Sequence, residues 1–129
     1  MRKKLLISGA VILVILAGFF FVVTNGLSEG ANITLSGISL EGVADGTYMG
    51  VYDFKRWSNT VEVTVIDGKI ATVSILNDVP GAGITHCSDE VICRVIAAQN
   101  TQVDTVSGAT VTSKAYLKAI EDALKQREE

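Results

Sequence analysis

The chain has 129 residues, 48% of them hydrophobic and 19% charged, with a formal net charge of −3. That length holds one domain, and the first part of the chain is too apolar to belong to it. Beyond position 26, eight basic residues stand against fourteen acidic ones, a net charge of −6 that argues against nucleic acid or anionic lipid headgroups as partners.

Arg2, Lys3 and Lys4 precede an apolar run from Leu5 to Val23, broken only by Ser8, Gly9 and Gly18. As a helix this run spans about 28 Å at ~1.5 Å per residue, which matches the hydrocarbon core of a bilayer. Signal-peptide cores run to only about 7–15 residues, and no small-x-small cleavage site follows Val23. Residues 1–25 therefore read as a single-pass membrane anchor or an uncleaved signal, with a retained segment preferred over a cleaved signal and the membrane contacted through residues 5–23. Three basic residues hold the N-terminus in the cytoplasm, which puts everything after Thr24 outside it. Residues 26–44 follow; GLSEGANITLSGISLEG, rich in Gly and Ser, reads as a tether with a short strand around Ile33 to Leu40. Asn32-Ile33-Thr34 is a glycosylation sequon, a triplet too common to carry weight.

The folded domain is expected over 45–129. GTYMGVY (46–52), TVEVTVI (60–66) and KIATVSIL (69–76) have strand composition, and Asp67-Gly68 between the last two signals a hairpin. A two-residue loop sets Val61, Val63 and Val65 opposite Ser74, Thr72 and Ile70, mixing polar with apolar. A three-residue loop with Gly68 in a bulge pairs Val63 with Ala71 and Val61 with Val73, and is the preferred register. NDVPGAGITHC then forms a turn-rich connection. Ser88 is positioned to cap a helix with Asp89 and Glu90 in its first turn and Val91, Ile92, Val95 and Ile96 on one face. A second helix is predicted from Ser113 to Gln126, with Tyr116, Ala119, Ile120, Ala123 and Leu124 as its apolar stripe. The order predicts an α+β fold: a small antiparallel sheet with helices on one face, preceded by one transmembrane helix.

Between the two helices lies DTVSGATVTS, Asp104 to Ser113, with five hydroxyl side chains, one carboxylate and a Gly-Ala pair. A helix N-terminus suits a phosphate, and Gly108 and Ala109 admit a ligand close to the backbone. Hydroxyls at such a place are also ordinary helix caps.

DTVSGATVTS resembles the DxxSGATxTS motif of the FMN-binding domain family, which includes the C subunit of sodium-pumping NADH:quinone reductase and the G subunit of the Rnf complex. Asp104, Ser107, Gly108, Ala109, Thr110, Thr112 and Ser113 all match. The likeness runs from DGTYMG at Asp45 to the final helix. It implies FMN joined by a phosphoester to the Thr110 hydroxyl, placed there by a separate flavin transferase that uses FAD. Ser107, Gly108 and Ala109 form the recognition loop in that reading, and Asp104 helps the transferase engage or orient the acceptor. Val79-Pro80-Gly81-Ala82-Gly83 resembles the family's TPGxG loop near the flavin, with Pro80 and Gly81 matched. Val79 replaces the Thr and Asp78 the preceding Glu, which puts in doubt any hydrogen bond that Thr supplies in the family; a plain turn is the alternative.

A threonine hydroxyl is too weak a nucleophile to attack a phosphoanhydride unaided, and the chain offers no metal site of its own and one histidine. Base and metal must then come from the transferase. His86 is a flavin neighbour or a solvated loop side chain, and Trp57 stacks on a flavin or partner, or packs at the sheet edge. Cys87 and Cys93 form a disulfide only if Cys87 lies outside the helix, because two helical positions six apart are about 9 Å apart along the axis. These readings make the protein a membrane-anchored, extracytoplasmic electron-transfer flavoprotein, with a membrane redox enzyme or second flavoprotein as partner. A non-redox binding module and a domain binding FMN without a covalent bond are the alternatives. A self-contained reductase lacks room for a substrate domain.

Overall fold

The computed structural model describes residues 1–79 and 87–125. Pro80, Gly81 and His86, and the expected helix end at Gln126, lie outside the described residues. Helix α1 (Arg2–Thr24) buries none of its side chains, and it is long and apolar enough to cross a membrane. A five-residue helix, α2 (Leu27–Ala31), follows. The domain then builds an antiparallel sheet in the order β1 (Gly46–Tyr52), β2 (Asn59–Ile66), β3 (Lys69–Asn77). A short 3₁₀ turn, Lys55–Trp57, joins β1 to β2. Two helices, α3 (Cys87–Ala98) and α4 (Thr110–Lys125), pack on the sheet: α4 over β1 and β2, α3 beside α4 toward β3. The expected α+β architecture is the one that forms.

The hairpin register corrects the expectation. Asp67 (φ +55) and Gly68 (φ +73) are both left-handed, which makes a two-residue turn whose twist matches the strands. Val65 pairs with Ile70, yet Thr64 pairs with Thr72, so Ala71 is an extra residue in β3. This bulge restores the apolar pairing that a plain two-residue loop would spoil: Val63 faces Val73 and Val61 faces Ile75. The extra residue sits two pairs into the ladder instead of in the loop. Val61, Val63, Val65, Ile70 and Val73 thereby share the buried face.

Against that face α4 lays Val111, Ala115, Tyr116, Leu117, Ala119, Ile120, Ala123 and Leu124, all buried. The expected stripe is present in full, and each large member contributes about 1.5–3 kcal/mol through burial. α4 comes close enough to β1 that Gly50 has no room for a side chain: a Cβ would lie 1.9 Å from the Ala119 carbonyl oxygen and 2.6 Å from the Ala123 nitrogen. Asp122 accepts the Val51 N–H at 2.9 Å, so α4 also covers the free edge of β1.

Residues 26–44, expected as a tether, lie along the domain and form no strand over 33–40. Val43 is buried, and Leu35, Ile38 and Leu40 pack against the core. Glu121, 1% exposed on α4, accepts the Gly37 N–H at 2.9 Å and the Thr101 hydroxyl at 2.7 Å, and pairs with Lys118 and Lys125. One buried carboxylate thus ties three segments together, and its charge is compensated by four partners.

Because the obstacles at Gly50 are backbone atoms, Gly50→Ala should force α4 away from the sheet. We expect a loss of about 1–3 kcal/mol, the usual cost of overpacking, measured as a lower urea midpoint with an unchanged m-value.

Candidate functional site

Helix α4 begins at Thr110, three residues earlier than expected, so the last four residues of the motif form its first turn while Asp104 to Ala109 precede it. Ser113 looks like a helix cap in the sequence, but its hydroxyl turns back into the turn. Ser113 Oγ donates to the Ala109 carbonyl at 2.6 Å, accepts the Val106 N–H at 3.0 Å, and lies 3.2 Å from Cys87 Sγ. A hydroxyl has one proton and two lone pairs, so Cys87 is the donor in the last contact. Burial raises the Cys87 thiol pKa, which suits a group that must keep its proton. Ser113 is fully buried and serves as the lock of the turn.

What the lock presents is Thr110. Ala109 and Val111 are buried to either side, whereas Ser107, Gly108 and Thr110 are exposed and Thr112 is half-exposed. Gly108 has φ +80 with nothing within 4 Å of a notional Cβ, so glycine is required there for backbone conformation and not for space. The first helical amide bond runs from Ser113 N–H to the Ala109 carbonyl at 2.8 Å. The amides of Thr110, Val111 and Thr112 precede it and have no intrahelical acceptor. Three amides without an intrahelical acceptor and no acidic residue in the first turn of α4 make a donor set that fits a phosphate on Thr110.

Asp104, at the other end of the motif, has an exposed side chain, and its role here is through the backbone. Arg94 on α3 donates to the Asp104 carbonyl at 2.8 Å and pairs with Glu90 one turn earlier. Arg94 was not a candidate from sequence; its Glu90 partner at i,i+4 is legible, but its reach to Asp104 is a tertiary contact. Asp78 accepts hydrogen bonds from the Tyr116 hydroxyl and from the Val79 N–H at 2.7 Å, which fixes Asp78 and Val79 against α4. The structure thus brings Ser107 to Ser113 into one turn at the head of α4, with Asp104 upstream of it and held at its carbonyl by α3.

Trp57 takes its packing role: it is 2% exposed and stacked on Phe54 at 6.0 Å, with Arg56 over its ring. Cys87 and Cys93 are both free, one buried and one exposed, because both lie on α3. The disulfide alternative is thereby set aside.

Two outcomes follow from this geometry. Ser113→Ala strands the Val106 N–H and should cost about 1–3 kcal/mol, read from the urea midpoint, while Ser113→Thr is expected to recover part of it. Burial, with the Asp78 carboxylate beside it, holds the Tyr116 phenol above its ordinary range. The folded state then keeps a proton that the unfolded chain gives up near pH ~10, so this stability is complete below that pH and falls as pH rises beyond it. Tyr116→Phe should flatten the fall in unfolding midpoint between about pH 9 and 11, leaving the slope from Tyr52 and Cys87, both also raised by burial.

The family model for the FMN-binding domain matches residues 58–125, more than half of the chain and all of the turn just described. An uncharacterized protein of Treponema pallidum (strain Nichols) is 33% identical over 85 residues, which are 64% of this chain and 23% of that relative. The chain therefore spans about a quarter of the length of the curated relative it matches. With a phosphate-compatible turn at the head of α4 and a family match that encloses it, this chain belongs to the FMN-binding domain family and is a flavin-binding module.

Proposed function

We propose that this protein is a membrane-anchored electron carrier, with FMN attached by a phosphoester to Thr110 and its domain outside the cytoplasm. The observation that carries the reading is the exposure of Thr110 on a turn that Ser113 holds from beneath. An acceptor for an external enzyme must project from the surface and still have a defined position, and that turn supplies both.

In this reading Thr110 contributes Oγ1 to a new P–O bond with the FMN half of FAD. The phosphoanhydride breaks, AMP leaves, and the hydroxyl proton passes to a base of the flavin transferase. Asp104, exposed and held at its carbonyl by Arg94, marks the face of the turn that the transferase engages. The amides of Thr110, Val111 and Thr112 offset the negative charge of the phosphodiester at the positive end of α4. Bound FMN supplies the electron chemistry, while the chain supplies position and electrostatics. A bond rather than an equilibrium keeps the cofactor where free FMN is scarce. Arg2, Lys3 and Lys4 support a cytoplasmic N-terminus, and the partners proposed are a membrane redox enzyme and a second acceptor or flavoprotein.

The test is expression with and without a bacterial FAD-dependent flavin transferase, followed by intact mass and in-gel fluorescence after denaturation. A gain of one FMN that requires the transferase and vanishes in Thr110→Ala is expected. Flavin that co-purifies but is released on denaturation, with no mass gain, would instead establish non-covalent binding and sink the phosphoester.

A further inference from the structure

Thr110 and the membrane helix are joined by more than chain connectivity. α1 ends at Thr24, and the residues just after it grip one end of the domain. Gly30 is buried, and a Cβ there would lie 2.4 Å from Val111 Cγ1, so the backbone of α2 rests on the residue that follows Thr110. Lys114, on the same first turns of α4, donates to the Ala31 carbonyl. On the other side Lys55 donates to Asn25 at 3.1 Å and pairs with Glu29 at 3.5 Å. A Cβ on Gly26 would come within 3.2 Å of the Trp57 ring. The Lys55–Glu29 pair is exposed and adds little; the backbone contact at Gly30 is the one that excludes slack.

After Asn32 the chain leaves this end. Gly37 is held by Glu121, eleven positions along α4 from Thr110, and the Ile38 N–H bonds Asn100 beyond the end of α3. Asp45 then accepts the Gly68 N–H at the tip of the β2–β3 hairpin. Residues 25–31 therefore touch the end that carries Thr110 and the Lys55–Trp57 turn, and residues 38–45 run to the hairpin end. The eight residues of β2 set the separation at about 25 Å, at ~3.3 Å per residue. From Thr24 to Gly30 the chain reaches at most about 21 Å even fully extended, and less with α2 helical.

We propose that residues 25–31 are a brace that holds the Thr110 end of the domain against the membrane, so that flavin on Thr110 exchanges electrons with a redox centre held in the bilayer and not with a freely diffusing protein. The orientation rests on α1 being membrane-embedded, and the choice of partner rests on the flavin reading given above.

Full-length protein in lipid vesicles, without flavin, tests the orientation. On a Cys93→Ser background, a fluorophore is placed at Ser107→Cys, near Thr110, or at Lys69→Cys, at the hairpin end. Nitroxide on the lipid headgroups should quench the first and leave the second, about 25 Å further out, nearly unquenched. Equal quenching, or stronger quenching at 69, overturns the proposal. Gly30→Ala should erase the difference by lifting α2 off Val111, and adding Val111→Ala should restore it by making room. A difference that survives Gly30→Ala rules out the brace, and one that Val111→Ala fails to restore assigns the loss to misfolding at Gly30, which overturns it too.

The choice of partner is tested on flavin-loaded protein in the same vesicles. Reduced viologen is supplied either with a hexadecyl chain that holds it in the bilayer or as the water-soluble dimethyl form. Each reduced viologen gives one electron to the flavin, and water supplies the protons. Wild type should be bleached faster than Gly30→Ala by the bilayer-held donor and at the same rate by the soluble one. Equal rates with both donors overturn the choice of partner. Absence of a mass gain on Thr110 would remove the flavin reading while leaving the fluorophore result standing.

Discussion

The distance between α4 and β1 governs the rest of this small domain. At Gly50 the helix and the strand meet backbone to backbone, with no side chain between them. That contact sets the height of α4 above the sheet, and with it the depth to which Tyr116, Leu117 and Ile120 enter the core. Since Thr110 is the first residue of the same helix, the position of the candidate acceptor is inherited from packing two to three turns away. A site on a rigid element is placed more sharply than a site on a loop.

Segments without regular structure are fastened to α4 by buried polar groups whose hydrogen-bonding capacity is used. Ser113 closes the turn at Thr110 and touches α3 through Cys87; Glu121 ties down Gly37 and Thr101; Tyr116 holds Asp78 at the end of β3. Each would be expensive to bury alone, and each is inexpensive because its partners are supplied by a different segment. α4 is thus both the largest piece of the core and the rail to which the connecting chain is attached.

Much of this was legible in the residues because it depends on local pattern. The apolar run from Leu5 to Val23, the stripe from Tyr116 to Leu124 and the inward valines of β2 are statements of periodicity. The motif from Asp104 to Ser113 is a statement of residue identity. The misreadings lie where a local signal had two outlets. Asp67-Gly68 announces a hairpin, but either the loop or the strand can take up the extra residue, and core packing put it at Ala71. Ser113 has the chemistry of a cap, but a neighbouring thiol and amide drew its hydroxyl inward.

The sequence by itself determined the long apolar N-terminal helix, the α+β order of elements, the apolar face of α4 and the family to which the chain belongs, because each is encoded within local pattern and residue identity. Tertiary structure alone decided that Gly50 is a contact point, that the helix starts at Thr110, and that Arg94 reaches Asp104. It also decided that the stretch after the anchor lies on the domain instead of trailing from it. The Gly/Ser composition of 26–44 describes a chain free to move, but freedom is lost when isolated apolar residues such as Leu35, Ile38, Leu40 and Val43 find a core to join. Contacts of that kind link positions as many as 84 apart, beyond anything that spacing along the chain can express.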